Sequence, residues 1–138
     1  SMRPGELKNR KRYLSIVDGI VAGQGNGPLE PDPFAAGLVL AGADPAGVDA
    51  TGAILMGFDP DCIPSIREVF RPRPYPVSDG SWRDVRLLSN DRRWDRRSIE
   101  DLGYDEVNHF RPHFGWQGRL ERREPATPEP QPLANSRP

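Results

Sequence analysis

The sequence predicts an α/β fold, with a small, mostly parallel sheet of three to four strands and two main helices. Two segments are typical of strands, because residues 13–17 are rich in β-branched and aromatic side chains and residues 37–42 form an apolar run. The second run shows no alternation of apolar and polar residues, which is typical of a strand buried on both faces in a parallel sheet. The connection between the two segments is long enough for a crossover but shows no clear helix, so the sequence leaves open whether these two strands pair in parallel or antiparallel.

The first predicted strand, Tyr13 to Val17, ends at the pair Asp18-Gly19, which is typical of a turn. The segment from Ile20 to Pro33 is rich in glycine and proline, and we expect an irregular connection there. The second predicted strand, residues 37–42, follows this connection.

Two helices follow. Asp44 and Pro45 predict a helix start, since an aspartate caps the first N–H groups and a proline fits the first helical position. This helix should run to about Met56 and end at Gly57. Asp59 and Pro60 open a second, shorter helix, whose apolar residues recur at helical spacing as far as Phe70.

The remaining elements are shorter. Residues 71–84 are predicted as a loop, Val85–Leu88 as a third strand, and Ser98–Gly103 as one capped helical turn. In the C-terminal arm, the aromatic residues Phe110, Phe114 and Trp116 are expected to anchor the arm to the sheet. Residues 1–123 therefore form one predicted domain, in which Ser1-Met2 is typical of a tag-cleavage scar.

The last segment, residues 124–138, holds five prolines and Leu133 as its one large apolar residue. Such a segment buries too little apolar surface to offset the entropy of ordering it, so we expect a disordered tail.

Composition narrows the functional classes. The net charge of −1 argues against a nucleic-acid binder, which usually has a basic surface. No apolar run approaches the roughly 18 residues that a membrane span needs, so we expect a cytoplasmic protein with no membrane partner. A single cysteine excludes an intrachain disulfide and a cysteine-ligated iron–sulfur cluster within one chain.

Two carboxylates are the candidate catalytic residues, Asp18 and Asp49. Asp49 lies in a predicted helix that is apolar all round, so we expect it to be buried, where it either accepts backbone N–H groups of the 19–27 stretch or serves as an acid or base. Asp18 follows the first predicted strand directly, where an Asx turn is the structural alternative to a catalytic role. If the two strands are parallel, Asp18 and Asp44 lie at the same edge of the sheet, where α/β folds bind ligands.

A glycine-rich loop is the candidate ligand-binding element. Its amides could form a nest for an anion, although a plain flexible turn is the alternative, and the spacing is not that of a dinucleotide-binding fingerprint. No cofactor is evident; a Mg²⁺ ion bound through carboxylates and substrate phosphates is compatible with the sequence. No metal-ligating set is predicted, since Pro112 separates His109 from His113. The candidate ligand-binding residues are Gly23, Gly25, Asn26, Gly27, Glu30 and Asp44.

Several motifs together resemble a family of bacterial and archaeal proteins catalogued as domain of unknown function 362. The motifs are the strand ending in Asp18-Gly19, the turn Gly25-Asn26-Gly27-Pro28, the helix start at Asp44-Pro45 with Val48-Asp49, and Met56-Gly57. The block from His113 to Glu121 is similar to the end of one branch of the family. Members are usually about twice as long, so the chain resembles their C-terminal half. Some members carry Cys-rich ferredoxin-like segments that this chain lacks, so the resemblance implies no iron–sulfur chemistry here.

The resemblance implies a related fold but no particular reaction, because the family has no established general activity. Two hypotheses therefore stand. The first is a small bacterial enzyme, in specialised metabolism, that uses buried carboxylates on a small molecule. The alternative is a non-catalytic binding or scaffold half that completes a partner protein. The small apolar sheet leaves strand edges open, so we expect a homodimer or a separately encoded partner half.

Overall fold

The computed structural model of the chain describes residues 12–74, 76–78 and 80–123. The expected tag scar at residues 1–2 and the expected tail at residues 124–138 lie outside the described residues. No helix among the described residues is long and apolar enough to cross a bilayer.

The prediction of a mostly parallel sheet is wrong. The described residues contain two antiparallel two-stranded sheets: β1 (Ser15–Gly19) pairs with β4 (Leu38–Gly42), and β2 (Ala22–Asn26) pairs with β3 (Glu30–Phe34). The segment predicted as an irregular connection therefore folds into a hairpin, which brings the chain back beside β1. A returning hairpin makes its flanking strands antiparallel, whereas a crossover would have made them parallel.

The two ladders form one long ribbon with a break. Between them, residues 20–21 on one side lie opposite residues 35–37 on the other, so one strand carries an extra residue, as in a β-bulge. Gly37 occupies this break with φ of 68°, and its N–H donates to the carbonyl oxygen of Ile20 at 3.1 Å. The positive φ favours glycine at this position.

Hairpin β2–β3 accommodates two prolines because it pairs them with glycines. Pro31 lies opposite Gly25, and Pro33 lies opposite Gly23. A Cβ atom on Gly23 would lie 2.8 Å from Cβ of Pro31, so a larger residue would push the strands apart. Proline lacks an N–H and is tolerated on edge strands, which explains why sequence patterns did not indicate a strand here.

The predicted first helix is confirmed. Helix α1 spans Pro45–Leu55, Asp44 caps it by accepting the N–H of Ala46 at 3.1 Å, and Gly57 follows it with φ of 84°. The predicted second helix is present in two parts, a 3₁₀ turn at Pro60–Cys62 and helix α2 at Pro64–Val69.

The remaining described elements are single 3₁₀ turns, which lie at Trp82–Asp84, Ile99–Asp101, Tyr104–Glu106 and Phe114–Trp116. The capped turn predicted at residues 98–103 is confirmed, since the Ser98 side chain accepts the N–H of Glu100. The predicted strand at Val85–Leu88 is reduced to a single bridge between Arg86 and Ser98.

The core forms around α1. Ala50, Ile54 and Leu55 are buried there, and residues from the C-terminal segments pack against them: Trp82, Ile99, Leu102, Val107 and Phe110. Leu38 and Leu40 of β4 cover one side of this core. Of the three predicted aromatic anchors, only Phe110 is buried, while Phe114 is 71% exposed and Trp116 is 44% exposed.

Candidate functional site

The structure separates the two carboxylates that were expected to share one edge of a sheet. In the antiparallel ladder Asp18 lies opposite Val39, whereas Asp44 follows Gly42, which lies opposite Ser15 at the other end. The two positions are about five residues apart along β4, or roughly 15 Å of extended chain. The expected cleft containing Asp18 and Asp44 is therefore absent from the described part of the chain.

The expected burial of Asp49 is also wrong. Eight of the eleven residues of α1 are buried, but Asp49 is exposed. It makes no described contact with the 19–27 stretch. The burial on which both roles expected for Asp49 depended is therefore absent.

Asp18 takes the structural alternative that the sequence left open. Its Oδ1 accepts the N–H of Ile20 at 3.2 Å, which is the hydrogen bond of an Asx turn, and the side chain is exposed. Asp44 combines the helix cap with a second partner, because its Oδ2 accepts the hydroxyl of Ser78 at 2.6 Å.

The glycine-rich segment forms strand β2 and the hairpin turn, and no nest of free amides. Gly25 is buried, and its N–H donates to the carbonyl oxygen of Arg111 at 2.8 Å. Asn26, Gly27 and Glu30 lie exposed around the tip of the hairpin, and Gly23 lies opposite Pro33. The Gly25 amide is therefore already used within the chain.

A cavity lies elsewhere, between β4, helix α1 and the segment 85–94. Its volume is about 770 Å³. One wall is formed by residues 36–44, the floor by residues of α1, and the opposite wall by residues 85–91 with Arg93 and Trp94. We name this cavity the β4 groove. Among the predicted site residues, only Asp44 lines it.

Most charged groups in the β4 groove are already paired. Arg93 donates to both carboxylate oxygens of Asp91 at 2.6 to 3.1 Å, and these hydrogen bonds hold the pKa of Asp91 below its ordinary value. Asp44 accepts from Ala46 and Ser78. Arg86, on the wall opposite β4, is exposed and forms no ion pair with any described residue.

Sequence reasoning missed this groove for a specific reason. The segment Val85–Leu88 was recognised as extended, but nothing local indicates that it lies across from β4. The floor residues Gly47, Val48 and Thr51 belong to a helix that was correctly predicted. The Thr51 hydroxyl donates to the carbonyl oxygen of Gly47 at 2.7 Å, so it is satisfied within the helix.

No described group of side chains is arranged to hold a metal ion: within residues 12–74, 76–78 and 80–123, no three His, Cys, Asp or Glu side chains come together in this way. The described carboxylates therefore offer no geometry that selects between the Mg²⁺ hypothesis and a metal-free one.

Comparison with known proteins identifies similarity in the N-terminal part of the chain. The sequence model of a family described as "Domain of unknown function (DUF362)" matches residues 6–54, so this part of the chain is similar to that family. The matched stretch holds all four strands and most of α1. The resemblances inferred at Met56-Gly57 and from His113 to Glu121 lie outside it, so the match does not show that the chain corresponds to the family's C-terminal half.

One curated relative is the thylakoid-associated protein sll1697 of Synechocystis sp. (strain ATCC 27184 / PCC 6803 / Kazusa), which is 42% identical over 53 residues. The aligned residues are 38% of this chain and 16% of that relative, so the chain spans less than a fifth of the relative's length. A bacterial relative fits the bacterial origin expected from the sequence. No solved structure matches the chain.

Proposed function

We propose that this chain is a non-catalytic binding part, which completes a partner protein through the outer face of the β1–β4 sheet. The partner that we propose first is a second copy of the chain. In this view the chain corresponds to the C-terminal half of the longer family members, whose remaining residues would cover the same face.

The observation that carries this proposal is the apolar character of that face. In the β1–β4 register, Ile16 lies opposite Ala41 and Asp18 lies opposite Val39, so these four residues share one face of the sheet. Ile16 is 65% exposed and Val39 is 57% exposed. The opposite face packs on the core through Leu38 and Leu40.

A sheet with one solvated face usually alternates apolar and polar residues, so that the outer face is polar. Here the outer face is apolar except for Asp18, whose carboxylate is turned to the N–H of Ile20. Leu14 and Ile20, at either end of β1, are also exposed. Several exposed apolar side chains on one face of a sheet favour protein association there.

The alternative, a small enzyme acting through Asp18 and Asp49, required these carboxylates to be buried and to lie near one cleft. Both are exposed, and neither lines the β4 groove. No described contact favours that alternative, so the binding function is the one we propose.

Light scattering after size exclusion, at micromolar concentration, tests the proposal. We expect the wild-type chain to elute above its 15.4 kDa monomer mass. Ile16→Asp should return it to the monomer mass, because a charge on the association face would have to be desolvated. Val77→Asp is the matched control, since Val77 is an exposed apolar residue outside the four described strands. A folded wild-type species at the monomer mass would contradict the proposal.

A further inference from the structure

We propose that the β4 groove binds an extended peptide segment of another polypeptide, which inserts as an additional strand between β4 and residues 85–88. The peptide carries apolar side chains at alternate positions and an acidic residue that faces Arg86. The groove runs along the free edge of β4, whereas the function proposed above uses the outer face of the β1–β4 sheet, and Val39 and Ala41 border both. Because the inferred contacts are made to the edge, the inference does not depend on that function.

The first wall is an unpaired strand edge. β1 pairs along one edge of β4, and no described residue pairs along the other edge. The groove is lined by every residue from 36 to 44 and by no described residue of β1. A continuous lining of this kind is expected where a groove runs along a strand edge, since successive side chains of a strand point to opposite faces. The wall therefore offers backbone N–H and C=O groups to a ligand.

The second wall is also an unpaired edge. The N–H of Leu87 donates to the carbonyl oxygen of Arg97 at 2.9 Å, and the carbonyl oxygen of Leu87 accepts the N–H of Arg96 at 2.9 Å. In an extended segment the backbone groups of neighbouring residues point to opposite sides, so those of Arg86 and Leu88 point away from residues 96–99. No described residue bonds to their backbone N–H or C=O groups, and the Leu88 side chain is 89% exposed.

The floor of the groove selects the side chains of the peptide. It consists of small or apolar residues of α1, namely Gly47, Val48, Thr51 and Leu55. A peptide lying on this floor would turn alternate residues toward it and the intervening residues toward solvent. Apolar residues are favoured at the first set of positions and polar residues at the second.

Charge supplies the second element of specificity. Asp91 and Arg93 neutralise each other, whereas Asp44 and Arg86, on opposite walls of the groove, form no ion pair with a described residue. An acidic residue on the peptide would complement Arg86. The wall from residue 85 to residue 88 is about 10 Å long at the rise of an extended chain, which matches about four peptide residues.

Addition of a peptide strand to an open sheet edge is a common recognition mode, in which main-chain hydrogen bonds supply affinity and side-chain pockets supply specificity. Here two edges face one groove, so an inserted strand would bond on both sides. A small molecule would use neither edge in full.

The test begins with a displayed library of random ten-residue peptides, selected against the wild-type chain. We expect enriched peptides with apolar residues at alternate positions, an acidic residue, and no proline in the central positions. One enriched peptide is then synthesised, and its Kd is measured by fluorescence anisotropy. N-methylation of the central residues should weaken binding at least tenfold, because it removes the N–H donors without removing a side chain.

Leu88→Pro and Leu88→Ala form a matched pair for the protein side. Both variants remove the exposed leucine side chain, but only proline removes the outward N–H. We expect Leu88→Pro to weaken binding at least tenfold and Leu88→Ala to weaken it less than threefold. The N-methylated peptides are measured on the wild-type chain, so they test the backbone hydrogen bonds even if Leu88→Pro disturbs folding.

Three outcomes would overturn the inference: no peptide is enriched, N-methylation leaves the Kd unchanged, or binding is lost in Ile16→Asp but kept in Leu88→Pro. The last outcome would assign the peptide to the outer face of the β1–β4 sheet. A monomeric wild-type chain that still binds the peptide through Leu88 would contradict the proposed function and support this inference.

Discussion

The backbone N–H of Gly25 donates a hydrogen bond to the carbonyl oxygen of Arg111 at 2.8 Å, and so joins the N-terminal hairpin to the C-terminal arm. Around this bond, the Arg111 N–H donates to Oε1 of Gln24 at 2.9 Å, and the Arg111 guanidinium forms an ion pair with Asp32. Phe34 and Phe110 stack beside them, with ring centroids 4.1 Å apart. A glycine that the sequence indicates as a ligand-binding residue is therefore a structural contact between distant segments.

Substitution of Gly25 tests this contact. Gly25 has φ of 74°, and a Cβ atom there would lie 2.7 Å from Nη2 of Arg111. We expect Gly25→Ala to lower the free energy of unfolding by about 1–2 kcal/mol from the backbone strain alone, with a further loss as Arg111 moves. Thermal melts measure this as a lower Tm. Gly27→Ala is the control, because a Cβ atom there would meet only Cβ of Pro31, at 3.8 Å. An equal loss of stability in both variants would contradict the assignment.

Asp44 and Asp49 provide a comparison within one helix. Asp49 is exposed on α1 and Asp44 caps the same helix. Removal of the cap in Asp44→Ala should cost about 1 kcal/mol. Asp49→Ala should change stability by less than about 0.5 kcal/mol, as is usual for surface positions. Chemical denaturation of the two variants distinguishes them, and a larger loss in Asp49→Ala would mean that this carboxylate has a structural contact.

The C-terminal arm is expected to depend on one aromatic residue. Phe110 is buried against the core, and its N–H donates to the carbonyl oxygen of Met56 at 2.9 Å. Phe110→Ala should destabilise the protein by about 3–5 kcal/mol, since the truncation of a buried phenylalanine leaves a cavity. Phe114→Ala should have little effect, because Phe114 is largely exposed. Urea denaturation of both variants checks the difference, and similar midpoints would show that the whole arm packs.

Low pH should weaken the surface cluster of hydrogen bonds around Glu106. The Arg97 guanidinium donates to both carboxylate oxygens of Glu106, at 2.5 and 3.0 Å, and the N–H of Gly103 donates at 2.6 Å. These hydrogen bonds lower the pKa of Glu106 from 4.5 to about 2, and the hydrogen bond from Arg97 has the largest effect. A carboxyl group whose pKa is lower in the folded state stabilises the fold above its unfolded pKa. That stabilisation is lost as the pH falls from about 4.5 toward about 2.

The comparison of wild type with Glu106→Gln across this range measures the effect. We expect wild type to have the higher Tm at pH 6, and the difference should shrink toward zero near pH 2. Asp105→Asn is the control, since Asp105 is an exposed neighbour that makes no hydrogen bond or ion pair with a described residue. A difference in Tm that stays constant with pH would contradict the role of the Arg97–Glu106 pair.

The sequence by itself determined those elements whose cause is local. Helix α1 begins where the Asp44 side chain accepts an N–H two residues later, and it ends near Gly57, which adopts a positive φ. The turn at Ser98 follows the same rule. Capping bonds join residues that are neighbours in the chain, so the residue types alone predict them.

The direction and pairing of the strands needed the tertiary structure. An apolar run such as Leu38–Leu40 is compatible with either direction, and only its partner decides which one. Two of the residues that determine the return of the chain, Pro31 and Pro33, normally argue against a strand. They are accommodated because glycines lie opposite them, and because the side chain of Asp32 between them pairs with Arg111.

The candidate site also depended on contacts that the sequence does not indicate. Asp49 was expected to be buried because its helix is apolar, but periodicity does not tell which face of such a helix the neighbouring segments leave uncovered. The β4 groove joins residues 36–44 to residues 85–94, and its two unpaired edges arise only when both segments lie over α1. The sequence alone therefore predicts helix caps and turns, because these depend on residues that are neighbours in the chain. Strand direction, the exposure of Asp18 and Asp49, and the groove depend on contacts between residues far apart in the chain, which no local pattern encodes.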